Sequence, residues 1–291
     1  MLQPQISYSP PAALVALLPS AFPPLSKEER RQEWARELFI AEHFAREADW
    51  YRAITSYKRA GFLLPNAFEQ RRQEIEYGVL QSYYFGQKYA DVLETYEHST
   101  LSSLETFLPV DDLYIILSDA AMQAKQDKMA SYWALELEKS QPELAERLAL
   151  GVAIRTADLP MLSSHANEHS DSSTRMLLDA YQAGAKSVAK ARVLNALLPG
   201  AGYLYVGQKS TAFTSFALNA LFVAAAYHFF HHHNIAAAVI TLSLESGWYV
   251  GGINGAGLAA KAYNENLYET LARETLFQER LFPVLLLKYA F

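Results

Sequence analysis

Several stretches of this chain carry residue types whose spacing could do chemistry. His165-Ala-Asn-Glu168-His169 has the H-x-x-E-H spacing in which two histidines one helical turn apart can hold zinc while the glutamate activates water. The run from Gly202 to Ser210 approaches a phosphate-cradling loop, but Gln208 inserts one residue between Gly207 and Lys209. Glu245 stands inside an apolar run, where an ionised carboxylate is costly and an acid becomes a candidate for handling a proton or an ion. His228, His231, His232 and His233 gather just before that run. The surroundings weaken three of the four. The H-x-x-E-H motif sits in a segment rich in Ser, Asn and Asp with no third ligand apparent, which predicts a solvated connector. The glycine loop follows a helix-forming run, whereas a phosphate loop follows a buried strand. Neighbouring histidines need not converge on one ion, so a polar cap between helices is expected. No catalytic residue, metal or cofactor is expected, and the chain reads as a non-enzyme. Glu245 alone stays open between a functional acid and a neutral one hydrogen-bonded to Asn219, Trp248 or a tyrosine.

The elements that position Glu245 are two apolar runs, Thr211 to Phe230 and Ile235 to Ile253, joined by a turn at His231–Asn234. Each is about 20 residues, the length an α-helix needs to cross roughly 30 Å of hydrocarbon. The expectation is a helical membrane hairpin. Pro199, Gly200, Gly202 and Gly207 break the preceding helix and turn the chain at its entrance, with Tyr203 and Tyr205 suited to the water–lipid boundary. Ser243, Gly247, Gly251, Gly255 and Ala259 recur every four residues, a ridge of small side chains suited to close helix packing. That ridge could meet Ala220 and Ala224 within the hairpin, or a second copy of the chain as a homo-oligomer. Asn219, His228, Trp248 and Tyr249 complete the polar candidates of the hairpin. Lys186, Lys190, Arg192 and Lys209 precede it and Lys261 follows, while the turn has neither Lys nor Arg. By the excess of positive charge, both ends face the cytoplasm if the membrane is an inner one, with an outer-envelope location the alternative.

Composition is consistent with this division. The 291 residues carry a net charge of −6 and 51% hydrophobic residues, an average over a polar first half and an apolar later stretch. No basic excess supports a nucleic-acid partner. With no cysteine, disulfides and thiolate chemistry are excluded.

Before the hairpin the pattern is helical. Glu33 to Phe44 and Asp49 to Leu64 place apolar residues at three- and four-residue spacing. Ala41, Phe44, Ala53, Tyr57, Ala60 and Pro65 fall where a tetratricopeptide repeat puts its small, aromatic and terminating positions. A poorer copy follows at Leu80, Tyr83, Val92, Tyr96 and Ser99, and a third is suggested by Ser118, Ala121, Ala130 and Ala134. Stacked helix pairs share a core and leave a concave surface, so binding a protein partner is the expected role of residues 28–160.

The ends frame this body. Ala12 to Leu18 is apolar but is preceded by no Lys or Arg and surrounded by prolines, which predicts an extended arm over residues 1–27 rather than a secretory leader. Pro160 is expected to close the repeats and 161–185 to form a polar linker and helix start. After a polar helix near Glu265 to Arg280 the chain runs Leu285-Leu-Leu287-Lys-Tyr289-Ala-Phe291. Its alternation is similar to a closing strand of outer-membrane barrels, but one strand cannot close a barrel, so an apolar tail docking on the repeats or the membrane is expected.

Asn195-x-x-Leu198-Pro199-Gly200-x-Gly202-x-x-Tyr205-x-Gly207, then Asn219, Glu245-x-Gly247-Trp248-Tyr249 and Ala260-x-x-Tyr263-Asn264, resembles the C-terminal hairpin of uncharacterised bacterial envelope proteins that join tetratricopeptide-like repeats to a membrane segment. The resemblance implies architecture and an envelope location, without a reaction. The expected fold is therefore all-α: repeats over 28–160, a two-helix transmembrane hairpin within 186–265, and a C-terminal helix and tail over 266–291. The expected function is a membrane-anchored interaction scaffold or assembly factor, and the alternative is an ion- or proton-handling component using Glu245.

Overall fold

A computed structural model describes residues 2–4, 6, 8, 15, 17–103 and 109–291. Most of the apolar Ala12 to Leu18 run lies outside the described residues. Every regular element among them is helical. The chain divides into two compact units, one formed by Ser7–Val152 with Leu276–Phe291, the other by Met1–Ile6 with Ala153–Thr275.

The first unit is built from helix pairs: α1 (Glu33–Arg46) with α2 (Trp50–Leu63), α3 (Glu69–Phe85) with α4 (Tyr89–Glu97), and α5 (Val110–Gln123) with α6 (Asp127–Ser140). One turn joins each pair. Ala48, Gln87 and Lys125 adopt φ near +60°, and in each case the amide bonds the carbonyl three residues back while the next amide reaches five back. This double bond satisfies carbonyls that a helix end leaves open and reverses the chain in two residues. Asp49 adds a side-chain cap by accepting from the Arg52 amide. The same turn recurs at Ala157, between α7 (Pro142–Thr156) and α8 (Leu159–Glu168). Trp34, Ala35, Leu38, Ala41 and Ala45 of α1 are buried at three- and four-residue spacing, while α3 and α5 are buried nearly all round and form the interior. Ala41, Ala53, Tyr57 and Ala60 lie in this core, with Phe44 half-buried and Pro65 exposed. The Tyr57 ring occupies the space a Cβ on Gly78 would need, so α3 approaches α2 closely there.

Pro160 does not close the helical region. It stands in the first turn of α8, where its missing N–H costs nothing, and Asp158 caps that turn by accepting from Met161. The polar part of the expected linker is instead α8, with Leu162 and Ala166 buried, and the expected helix start is α9 (Ser172–Gly184). Polar composition misled because these are surface positions of amphipathic helices.

The second unit continues through α10 (Val188–Leu197), the short α11 (Ala201–Tyr205), α12 (Lys209–His231) and α13 (Ile235–Gln278). Among the described residues, α12 is the one helix long and apolar enough to cross a membrane. The second apolar run is part of α13, a single helix of 44 residues, about 66 Å long at the usual rise. The expected boundary near 265 therefore falls inside an unbroken helix. Paired hydrogen bonds between Asn264 and the Lys186 backbone, 2.7 and 2.9 Å, tie α13 to the start of α10, and the buried Tyr268 hydroxyl donates to the Ile154 carbonyl at 2.8 Å.

Candidate functional site

Within the first unit, the last residues of the chain lie as an extended segment among the helix pairs. The short α14 (Pro283–Leu286) packs on α5. Beyond it, Asp112 Oδ2 accepts from the consecutive amides of Lys288 and Tyr289 at 2.9 and 2.8 Å. Gln81 Nε2 donates to the Tyr289 carbonyl at 3.0 Å, and the Arg46 guanidinium donates to the Phe291 carbonyl at 2.9 Å. From the N-terminal arm, the Pro19 carbonyl accepts from the Ala290 amide at 3.0 Å. Each residue from 288 to 291 thus has a backbone group held by another part of the unit. An extended strand makes no hydrogen bonds of its own, so burying one requires this kind of provision.

Side-chain recognition is concentrated at Phe291. Its ring packs 6.0 Å from Trp50, 6.3 Å from Tyr57 and 5.7 Å from Phe85, centroid to centroid, and is 5% exposed. The Lys288 ammonium reaches to 3.7 Å from Asp111, at the rim. Burial lifts the Asp112 carboxyl to about 6, against the opposing pull of the two tail amides. The tail thus lies on the helix pairs of this unit without forming a helix.

The arm is fastened by Arg71. Its buried guanidinium donates to the Pro23 carbonyl at 2.7 Å and the Pro24 carbonyl at 3.3 Å, and pairs with Glu29 at 2.8 Å and Glu74 at 2.7 Å. The hydrogen bonds from Arg71 hold Glu29 down at about 2, whereas deeper burial raises Glu74 to about 7 despite the same partner. Sequence reasoning missed Arg46, Arg71, Gln81 and Asp112. For Arg71, Gln81 and Asp112 the signal was present as polar side chains on helix faces that otherwise read as buried, whereas Arg46 ends α1 at an exposed position.

In the second unit the entrance loop is well specified. Gly200 is left-handed (φ 93°) beside Pro199, and a Cβ there would strike the Ala212 carbonyl. Asn195 accepts from the Gly200 amide at 2.9 Å. Tyr205 accepts from the Ser187 amide at 3.2 Å and lies under Lys186 and Lys190. Gly207 (φ 85°) forms the next turn. The loop from Gly202 to Ser210 follows α11 and opens α12, so no strand feeds it.

Within one chain, the small-residue ridge is closely packed only toward its C-terminal end. Ser243, Gly247 and Gly251 are exposed, and nothing lies within 4 Å of a Cβ placed on either glycine. Gly255 is the ridge member in close contact, with the Tyr203 hydroxyl where its Cβ would stand; Ala259 is half-buried beside Ala191, Val206 and Ala260. The positions of α13 that turn inward are instead Ala238, Glu245 and Ala256, seven and eleven residues apart along one face. Trp248 is half-exposed, and the Tyr249 hydroxyl donates to the Ala196 carbonyl.

On α12 the buried set is Ala212, Ser215, Asn219 and Ala226, while Phe213, Phe216, Leu221, Val223, Tyr227 and Phe230 are exposed. Asn219 Nδ2 donates to the Ser215 carbonyl at 2.6 Å. Asn219 Oδ1 and Glu245 Oε2 are both buried without a hydrogen-bond partner among the described residues. The His228 and His232 rings lie 4.4 Å apart, tilted by 52°, on the exposed end of α12, and among the described residues three turn histidines do not converge on one point. His165 and His169 stack at 4.6 Å one turn apart on α8, with Asp171 3.9 Å from His165. No protein-family model matches the chain, and comparison with curated proteins and with solved structures returns no match.

Proposed function

We propose that the protein is a membrane-anchored interaction scaffold, without a catalytic step, in which tetratricopeptide-like helix pairs hold an extended segment of a protein partner and a two-helix hairpin of α12 and the first part of α13 fixes the chain in a bacterial envelope membrane. The observation that carries the reading is the treatment of residues 288–291. Asp112, Gln81 and Arg46 address the backbone, and an aromatic cage addresses one side chain. Such a division is what a peptide receptor needs, since backbone bonds give affinity and pockets give specificity.

Membrane anchoring is supported by the inversion of α12. Its large apolar side chains point outward and its small and polar ones inward, an arrangement that water penalises and lipid tolerates. Lysines flank the hairpin on one side only, which favours an inner membrane with the helix pairs in the cytoplasm. The test is photo-crosslinking in isolated membranes, comparing the wild-type chain with Asp112→Ala and Gln81→Ala. A protein adduct that depends on both residues, from a chain that leaves the membrane only in detergent, is expected. Adducts indifferent to both substitutions contradict the reading.

A second reading, ion or proton handling, is favoured by one observation. Glu245 Oε2 and Asn219 Oδ1 are acceptors buried in the same unit without partners, and a proton or a cation would satisfy either. Glu245→Gln separates the two. Loss of function with crosslinking retained favours ion handling, and an unaffected variant removes it.

A further inference from the structure

We propose that the groove holding residues 287–291 is a receptor site for which the chain's own tail and a second polypeptide compete, and that the competing segment carries a basic residue three places before an aromatic one, with a small residue between them next to the aromatic. The inference rests on the scaffold reading and adds to it the identity of the ligand class and the control of access.

The template is the tail itself. In Lys288-Tyr289-Ala290-Phe291, the aromatic ring fills the cage of Trp50, Tyr57 and Phe85, and the cation stands beside Asp111 at 3.7 Å. Ala290 is buried between them, with 4% of its surface exposed, so a larger side chain has no room there. Tyr289 contributes its amide and carbonyl, and its half-buried side chain is less tightly specified. These demands are short and local, and they are addressed to groups any polypeptide presents. Another segment with the same spacing would meet the same partners.

Exchange is also consistent with how the tail is attached. Residues 287–291 form no helix, and their polar anchoring consists of five backbone hydrogen bonds and one exposed ion pair. Each such bond contributes modestly against water. The ring of Phe291 supplies the largest single apolar contribution. A segment held by the side chains of Leu287 and Phe291 and a short ladder of bonds, with no helical bond to its neighbours, can leave as a unit. An intramolecular occupant has a high effective concentration, so a partner must bind well to displace it, which makes the tail a threshold on capture.

The experiment uses the full chain in lipid nanodiscs and a fluorescent synthetic peptide of residues 281–291, amidated at its end so that it presents the backbone groups seen in the groove. Binding is measured by anisotropy to wild type, to Phe291→Ala and to the milder Phe291→Leu. The expected result is at least tenfold tighter binding to the Phe291 variants than to wild type, abolished when the peptide's own phenylalanine is replaced by alanine and reduced when its lysine is replaced by glutamate. Equal binding to wild type and to Phe291→Leu, or binding indifferent to the peptide's phenylalanine, overturns the proposal. A concentration-dependent dimer of either Phe291 variant that excludes the peptide overturns it too, by naming a second copy of this chain as the occupant. Should Phe291→Ala lose its helical signal, Phe291→Leu carries the decision. Failure of exchange with groove-dependent crosslinking intact removes only this inference, whereas exchange without any such crosslinking removes the scaffold reading and leaves the groove as a device of the chain alone.

Discussion

The two units differ in what surrounds their buried polar groups. Around the tail, Asp112, Gln81 and Arg71 are buried on α3 and α5 and, with the exposed Arg46 at the end of α1, each has an atom that meets a stated partner within hydrogen-bond distance, although Asp112 Oδ1 is buried without one among the described residues. Along α12 and the facing part of α13, Asn219 and Glu245 bury acceptor atoms that meet none, while rings and aliphatic side chains cover the outside. In water the second pattern is costly on both counts. The contrast fits the proposed membrane anchor, since lipid tolerates an apolar exterior that water penalises. In the same reading the polar groups of the first unit address a peptide, and the few buried in the second lie where another helix, a proton or an ion would satisfy them.

The contrast can be broken first at Arg71. Arg71→Met strands Glu74 and Glu29 and releases the Pro23 and Pro24 carbonyls, and loss of one partner of a buried pair typically costs about 3–5 kcal/mol. The urea midpoint of the full chain in detergent, followed by tryptophan fluorescence, should fall accordingly. An unchanged midpoint would mean that the arm is not fastened as described. Phe291→Ala comes next, at about 3 kcal/mol, the low end for a buried ring because the tail can detach. Its effect should appear as fast hydrogen exchange at the Lys288 and Tyr289 amides, with α12 unaffected.

The pH dependence sharpens the comparison. Asp112 titrates near 6 in the folded chain against about 3.9 when unfolded, so between these values the folded state binds the additional proton. Stability from this group is present at acidic pH and is lost as the pH rises through about 6, by an amount on the order of 3 kcal/mol. Glu74, held near 7, adds to the same slope, while Glu29, held near 2, contributes in the opposite sense only below its ordinary value. The urea midpoint should therefore be higher at pH 5 than at pH 8, and Asp112→Asn should remove part of the difference, with Glu74 retaining the rest. A difference left unchanged by the substitution would mean that Asp112 does not contribute to it. In the second unit, Gly255→Ala should cost about 1–3 kcal/mol by colliding with Tyr203, whereas Gly251→Ala should be neutral in the detergent-solubilised monomer. Equal effects at the two positions would restore the ridge as an intramolecular packing surface.

Much of this was legible in the residues. Spacing at Ala41, Ala53, Tyr57 and Ala60 predicts a packed helix pair because a buried face must repeat with the helical turn. Pro199, Gly200 and Gly207 predict the entrance loop because their backbone demands are local. What spacing cannot give is which of two small faces meets a neighbour. Gly247 and Gly251 look like a packing surface, yet nothing lies within 4 Å of a Cβ on either and Ala238, Glu245 and Ala256 turn inward, while Gly255 is the ridge glycine that meets a neighbour, Tyr203 of α11. The polar residues from 161 to 171 read as a connector because Ser, Asn and Asp serve equally in connectors and in capped helices, and here Asp158 and Asp171 act as caps. The groove stayed hidden because Gln81 and Asp112 acquire meaning only when the far end of the chain reaches them.

The most direct measurement introduces single cysteines into this cysteine-free chain at Leu221 and at the buried Leu287, where the smaller side chain fits, and follows labelling by a water-soluble maleimide in opened membranes. The account predicts that position 221 labels only after detergent is added, and that position 287 is protected until the amidated 281–291 peptide is supplied. Ready labelling of position 221 in intact lipid, or of position 287 without peptide, would contradict it.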